Sequence, residues 1–156
     1  MSVLIVAPNA MKCEFIDSRT GWGNTCGMTT ENKSIVQRAL AGLVETGDVD
    51  TLASCLREDF IHHRPDSTTS SKAEWLAAVR AALGPTAGMQ VEILHLVADS
   101  DHVVVHSRRR LPDGGPEIVV VDVLRIADGS IAEVWEIIEP VAHAAANLAW
   151  WESAHH

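Results

Sequence analysis

Ile118-Val119-Val120-Val121-Asp122-Val123-Leu124-Arg125-Ile126-Ala127-Asp128-Gly129-Ser130-Ile131-Ala132-Glu133-Val134-Trp135-Glu136-Ile137-Ile138 is the stretch on which the fold turns. Its two arms are rich in Val and Ile, residues that favour a pleated, half-buried surface. Asp128-Gly129 between them is a strong two-residue hairpin signal. The first arm is apolar on both faces except at Asp122 and Arg125, as in the centre of a sheet. The spacing predicts strands over about 117 to 127 and 130 to 139.

Two more strands precede this hairpin, at about 89 to 98 and 102 to 111, divided by Asp99-Ser100. Pro112-Asp113-Gly114-Gly115-Pro116 links the second of them to the hairpin. The first half of the chain reads differently. Ile35, Val36, Ala39, Leu40, Leu43 and Val44 recur at three and four, which predicts a helix capped by Thr29 or Thr30 and running to about Thr46. Gly47-Asp48 ends it and caps a short second helix through Leu52 and Leu56. Phe60-Ile61-His62-His63 reads as a short strand, closed by Arg64-Pro65. Ser70 or Ser71 caps a third helix bearing Trp75, Leu76, Val79, Ala82 and Leu83, which Gly84-Pro85 stops. An Ala-rich segment, 141 to 152, predicts a C-terminal helical tail with Trp150 and Trp151 packing. Three helices before a four-strand antiparallel meander make an α+β domain, its helices covering one face of a curved sheet and leaving a cavity at the open end. Residues 1 to 28 lack either periodicity and read as a flexible N-terminal extension, with the domain over 29–156.

Totals narrow the functions. The chain has 156 residues, enough for one domain with a core of its own. Its formal net charge is −9, from 12 basic and 21 acidic residues, so it repels phosphate backbones and anionic lipid. Neither nucleic acid nor membrane is an expected partner. Arg108-Arg109-Arg110 ends a strand, where successive side chains point to opposite faces rather than forming one patch. Cys13, Cys26 and Cys55 are odd in number and show no ligand spacing, which fits a reducing, cytoplasmic setting. No apolar run approaches the length of a membrane span.

Counting registers outward from the turns brings particular side chains together. A two-residue loop at Asp128-Gly129 sets Asp122 opposite Trp135. A five-residue loop from Pro112 to Pro116 sets His106 opposite Asp122. His106, Asp122 and Trp135 would then share one row, with directly opposed Cβ atoms roughly 4.5–5.5 Å apart. A carboxylate among so many apolar neighbours loses water, and its pKa should rise unless a partner holds it charged. Asp122 is either a structural carboxylate satisfied by His106 or a backbone donor, or a catalytic group, and the cavity and the facing histidine favour catalysis. Trp135 is core, aromatic wall or both. Glu136 faces the other way in ideal register, unless a bulge re-aims it. His62 and His63 point to opposite faces, so at most one enters the cavity. His102 and His106 are four apart, about 13 Å on a strand and too far for one ion, so no metal is expected.

These residues carry a resemblance. Asp59-Phe60-Ile61-His62-His63-Arg64-Pro65, Val103-Val104-Val105-His106-Ser107, Val121-Asp122-Val123-Leu124-Arg125-Ile126 and the Asp128–Ile138 arm resemble, in order, the SnoaL-like polyketide cyclase and aldol-condensation group of the NTF2-like superfamily. The resemblance spans residues 29 to about 141. It implies a cone with a curved, mostly antiparallel sheet, no cofactor, and a homodimer through the outer sheet face. It also implies an acid–base pair at His106 and Asp122, with His63 and Glu136 binding substrate beside the Trp135 wall. Two departures stand out: Arg64 replaces the family's usual Asn before Pro, and the chain has no tyrosine. The expected activity is proton transfer on an apolar secondary-metabolite intermediate, with intramolecular ring formation. Epoxide opening is the alternative chemistry, and a non-catalytic binding module the alternative class.

Overall fold

The computed structural model describes residues 23–112 and 114–146. The first helix, α1 (Gly23–Ala41), buries Ile35, Val36 and Ala39 along one stripe. It starts ahead of the cap expected at Thr29 or Thr30. No residue from Gly27 to Glu31 is buried, so this stretch carries no periodic signal to read. One π-helical turn, Gly42–Thr46, follows, and Gly47 closes it in the left-handed region at φ 66°. Asp48 then caps α2 (Val49–Cys55), its carboxylate accepting from the Asp50 and Thr51 N–H groups.

The strand β1 (Leu56–His63) begins at Leu56 rather than Phe60, and a short β2 (Thr69–Ser71) pairs with it. Ser71 caps α3 (Lys72–Ala82) in a reciprocal box with Glu74. The meander is β3 (Gln90–Asp99), β4 (His102–Arg110), β5 (Glu117–Ala127) and β6 (Ser130–Pro140), with bounds close to those expected. A 3₁₀ turn over Val141–His143 opens the expected C-terminal tail. Trp150 and Trp151, and residues 1–22, lie outside the described residues.

The six strands run in the order β2-β1-β6-β5-β4-β3. All pairs are antiparallel except β1 with β6, which run parallel. The three helices lie on one face. Ile35, Val36, Leu52, Phe60 and Leu76 meet Val103, Val105, Leu124, Ile126, Ile131 and Val134 in one core. A helical cover on one side of a sheet leaves the other face, called the outer face below, uncovered among the described residues.

Register decides which side chains share the helix-covered face, and it departs from the expected count at two places. The hairpin at Asp128-Gly129 is as expected, with both residues at positive φ and Ala127 opposite Ser130. Beyond Ile126–Ile131, however, the pairing slips by one, so that Arg125 lies opposite Glu133 and Ala132 is the extra residue of a β-bulge. Asp122 therefore faces Glu136, and Trp135 faces Val123. The preceding loop is one residue longer than counted, since Arg110 rather than Leu111 pairs with Glu117. His106 consequently lies opposite Val121, and Asp122 opposite Val105. The expected row of His106, Asp122 and Trp135 does not form. A slip of one residue sends a side chain through the sheet, and both slips did so.

Candidate functional site

On the covered face, the strands carry apolar residues under the helices and polar ones toward the open end. Val103, Val105, Ser107 and Arg109 alternate inward on β4, as do Val120, Asp122, Leu124 and Ile126 on β5. From β6, Val134 and Glu136 join them, and from β1, Phe60 and His62. Four ionisable groups thus converge next to the core: His62, Arg109, Asp122 and Glu136.

Arg109 folds back along its strand toward the core. Its Nε donates to Ser107 Oγ at 3.3 Å, and its Nη2 donates to Asp122 Oδ2 at 2.8 Å. Asp122 is 8% exposed and Ser107 is 1% exposed, so this pair is largely dry. Burial pushes the Asp122 carboxyl up to about 6; Arg109 opposes the rise and Glu136 across the strand adds to it. A carboxyl that titrates near neutrality can both take and return a proton.

His62 supports the neighbouring carboxylate. It is 3% exposed, and its ring lies 5.6 Å from that of Trp75. Its Nε2 is 3.2 Å from Glu136 Oε2, the arrangement of an N–H donating to a carboxylate. Burial lowers the His62 pKa, with Glu136 opposing and the Arg64 and His63 charges reinforcing the fall. A neutral ring with its proton on Nε2 leaves Nδ1 as a buried acceptor without a hydrogen-bond partner among the described residues. A cavity of about 210 Å³, lined by Arg64, Pro65, Asp66, Glu136 and Ile138, opens at the Glu136 end of this cluster. Asp122 sits one strand further in.

Of the residues singled out from the sequence, the structure brings two together on the covered face. Asp122 and Glu136 are cross-strand neighbours, Glu136 having been re-aimed by the Ala132 bulge. His106 is on the outer face, where its Nδ1 lies 3.0 Å from His95 Nδ1. The expected His106–Asp122 pair does not form, because the sheet separates its members. His63 and Trp135 are also on the outer face. Their rings stack 4.8 Å apart, and His63 Nε2 lies 2.8 Å from Glu133 Oε2, which Arg125 also holds. Those contacts bind β1, β6 and β5 together and do not reach Asp122.

Sequence reasoning missed His62 and Arg109. Both were accessible to parity: Phe60 is apolar and inward, so His62 shares its face, and Arg109 alternates with Val103, Val105 and Ser107. Among the described residues, no three His, Cys, Asp or Glu side chains are grouped to hold a metal ion, and no helix is long and apolar enough to cross a membrane.

Comparison with known proteins agrees with this architecture. The SnoaL-like domain family matches residues 36–134. Among solved structures, AclR of Streptomyces galilaeus, provisionally assigned as a hydroxylase, superposes with a TM-score of 0.65 at 19% identity, over 76% of this chain and 85% of that one. A provisionally assigned SnoaL-like polyketide cyclase from a Jannaschia species gives 0.63 at 16% identity, over 79% and 91%. An LEH-like epoxide hydrolase of M. tuberculosis gives 0.59 at 22% identity, over 72% and 85%. At these identities the likeness is one of fold. No curated protein matches the chain by sequence. With the family match extending over more than half of the 156 residues and the sheet and helices arranged as in these relatives, the chain belongs to the SnoaL-like family and has the NTF2-like α+β fold.

Proposed function

We propose that the protein is an acid–base enzyme that moves protons on a small, largely apolar metabolite, with Asp122 as the proton carrier. The observation that carries this reading is a buried carboxyl, clamped by Arg109 and facing a second carboxylate, whose burial pushes its pKa up to about 6. At pH 7 Asp122 is mostly ionised, yet it is a stronger base than an ordinary aspartate. It would remove an acidic proton next to a substrate carbonyl. The resulting enolate would attack a second carbonyl in the same molecule, closing a ring, and the new alkoxide would recover the proton from Asp122. Substrate and product are then isomers, and no electrons leave or enter. Arg109 supplies positive charge beside the developing oxyanion through its remaining N–H groups. His62 holds Glu136 in place at the cavity, which leaves Glu136 to orient the substrate or relay the returning proton.

A second reading has its own support. Two carboxyl groups side by side, one of them with a raised pKa, also suit epoxide opening: one activates water or an internal hydroxyl, and the protonated other assists the leaving oxygen. The two chemistries separate in one experiment. Incubation of an epoxide panel in oxygen-18 water labels a diol only if water opens the ring. Incubation of 1,3-diketone probes in deuterium oxide, followed by NMR, reports removal of the acidic C–H. In either assay Asp122→Asn, verified as folded, should lose about 10²–10⁴-fold in rate. An unchanged rate removes Asp122 from the chemistry. Ligand-induced stabilisation without turnover of any probe would favour a binding module instead.

A further inference from the structure

We propose that His95 and His106 form a binding site for a late first-row divalent metal ion, of the Ni²⁺, Cu²⁺ or Zn²⁺ class, on the outer face of the sheet. Spacing within one strand excludes such a site, because His102 and His106 lie too far apart on β4. The sheet supplies a different partner from the neighbouring strand. The pairing of β3 with β4 slips between Ile93 and His95, so Leu94 is an extra residue there. Without that bulge His95 would lie opposite Val105, on the core face. With it, His95 lies opposite His106 and the two rings share the outer face. A bulge that re-aims one side chain is a common way to build a local site.

The geometry suits chelation. The two Nδ1 atoms are 3.0 Å apart and the ring planes differ by 8°. Ligand nitrogens bind these ions at about 2.0–2.1 Å, so two adjacent nitrogens on one ion sit roughly 3 Å apart. The two nitrogens are already at the required separation, and rotation of the rings would aim both lone pairs at one ion. In the metal-free pair, one Nδ1–H donates to the other Nδ1. On binding, that ring shifts its proton from Nδ1 to Nε2, and both Nδ1 lone pairs bond to the ion; no proton need be released from neutral rings. His95 is exposed, so solvent can fill the remaining coordination positions. Two imidazoles favour this class of ion over Mg²⁺ or Ca²⁺, which prefer oxygen ligands.

The test is isothermal titration of the full chain with Ni²⁺, in a His155→Ala/His156→Ala background that removes the terminal histidine pair. One equivalent should bind. His95→Gln and His106→Gln should each weaken binding by at least about tenfold, and His102→Gln should leave it unchanged. Cu²⁺ added to the same protein should give an electron paramagnetic resonance spectrum with two coordinated nitrogens, lost in either variant. Unaltered affinity in His95→Gln or His106→Gln, or an equal loss in His102→Gln, overturns the proposal. None of these variants touches Asp122 or Glu136, so the result stands apart from the catalytic reading.

Discussion

Replacing Arg109 with glutamine isolates the force that keeps Asp122 usable as a base. In the native site, burial raises the Asp122 pKa to about 6 while the Arg109 guanidinium, 2.8 Å away, holds it down and Glu136 holds it up. The substituted amide keeps a hydrogen-bond donor but removes the charge. An opposite charge within hydrogen-bond reach is worth roughly 1–3 pKa units to a carboxyl. The Asp122 pKa should therefore move from about 6 to roughly 7–9, with only burial and Glu136 acting on it. At pH 7, the ionised fraction falls from about nine-tenths to between about one-half and one-hundredth, and the rate falls with it, less whatever the stronger base regains. The assay is C–H exchange of a 1,3-diketone probe from pH 5 to 10. The acid limb of the profile should shift upward in Arg109→Gln, and activity should recover at high pH. Were the acid limb to stay put or shift downward, Arg109 would not be the group that sets the Asp122 pKa, and the reasoning would fail.

Three other outcomes follow from the same geometry. Asp122→Asn should change the pH dependence of stability. The native pKa of about 6 lies above the ordinary 3.8, so the folded state binds more protons than the unfolded state between those values. The native charge therefore costs stability that is absent below about pH 4, grows as pH rises, and levels off above pH 6 at roughly 3 kcal/mol. Melting temperatures of Asp122→Asn relative to native protein should rise from pH 4 to pH 7; a flat difference would mean that Asp122 is not desolvated. His106→Gln should leave proton-transfer activity intact, since its ring is on the far side of the sheet from Asp122; a large loss of rate would contradict the observed register. The outer face also carries Val119, Val121 and Val123 on a central strand, and Ile137 on β6 is 54% exposed. If it pairs two copies of the chain, sedimentation should give a dimer for the native protein and a monomer for Ile137→Asp, whereas a native monomer would end that expectation.

Much of the architecture could be read from composition and turns. The Val- and Ile-rich arms around Asp128-Gly129, the Gly47-Asp48 break and the Ser71 cap each describe a local preference that the folded chain obeys. The site was harder, because a face assignment depends on counting every residue from a turn. Ala132 and one extra loop residue each shift that count by one, and period-two alternation turns a small error into the wrong side of the sheet. Asp122 was identifiable because a lone carboxylate interrupts an apolar strand. Glu136 was recognised only as conditional on a bulge, which did occur. Family resemblance points to His63 as the inward histidine, although Phe60, two residues before His62, indicates the other ring. Arg109 hid among three consecutive arginines, of which it is the one that alternates inward.

Carbon-13 NMR of the side-chain carboxyl groups, titrated from pH 3 to 9, measures the proton carrier itself. Asp122 should titrate near 6 in the native protein and lower in Glu136→Gln, where the facing charge is gone. A native Asp122 that titrates in the ordinary range near 4 would mean that the carboxyl is wet and unsuited to the task assigned to it.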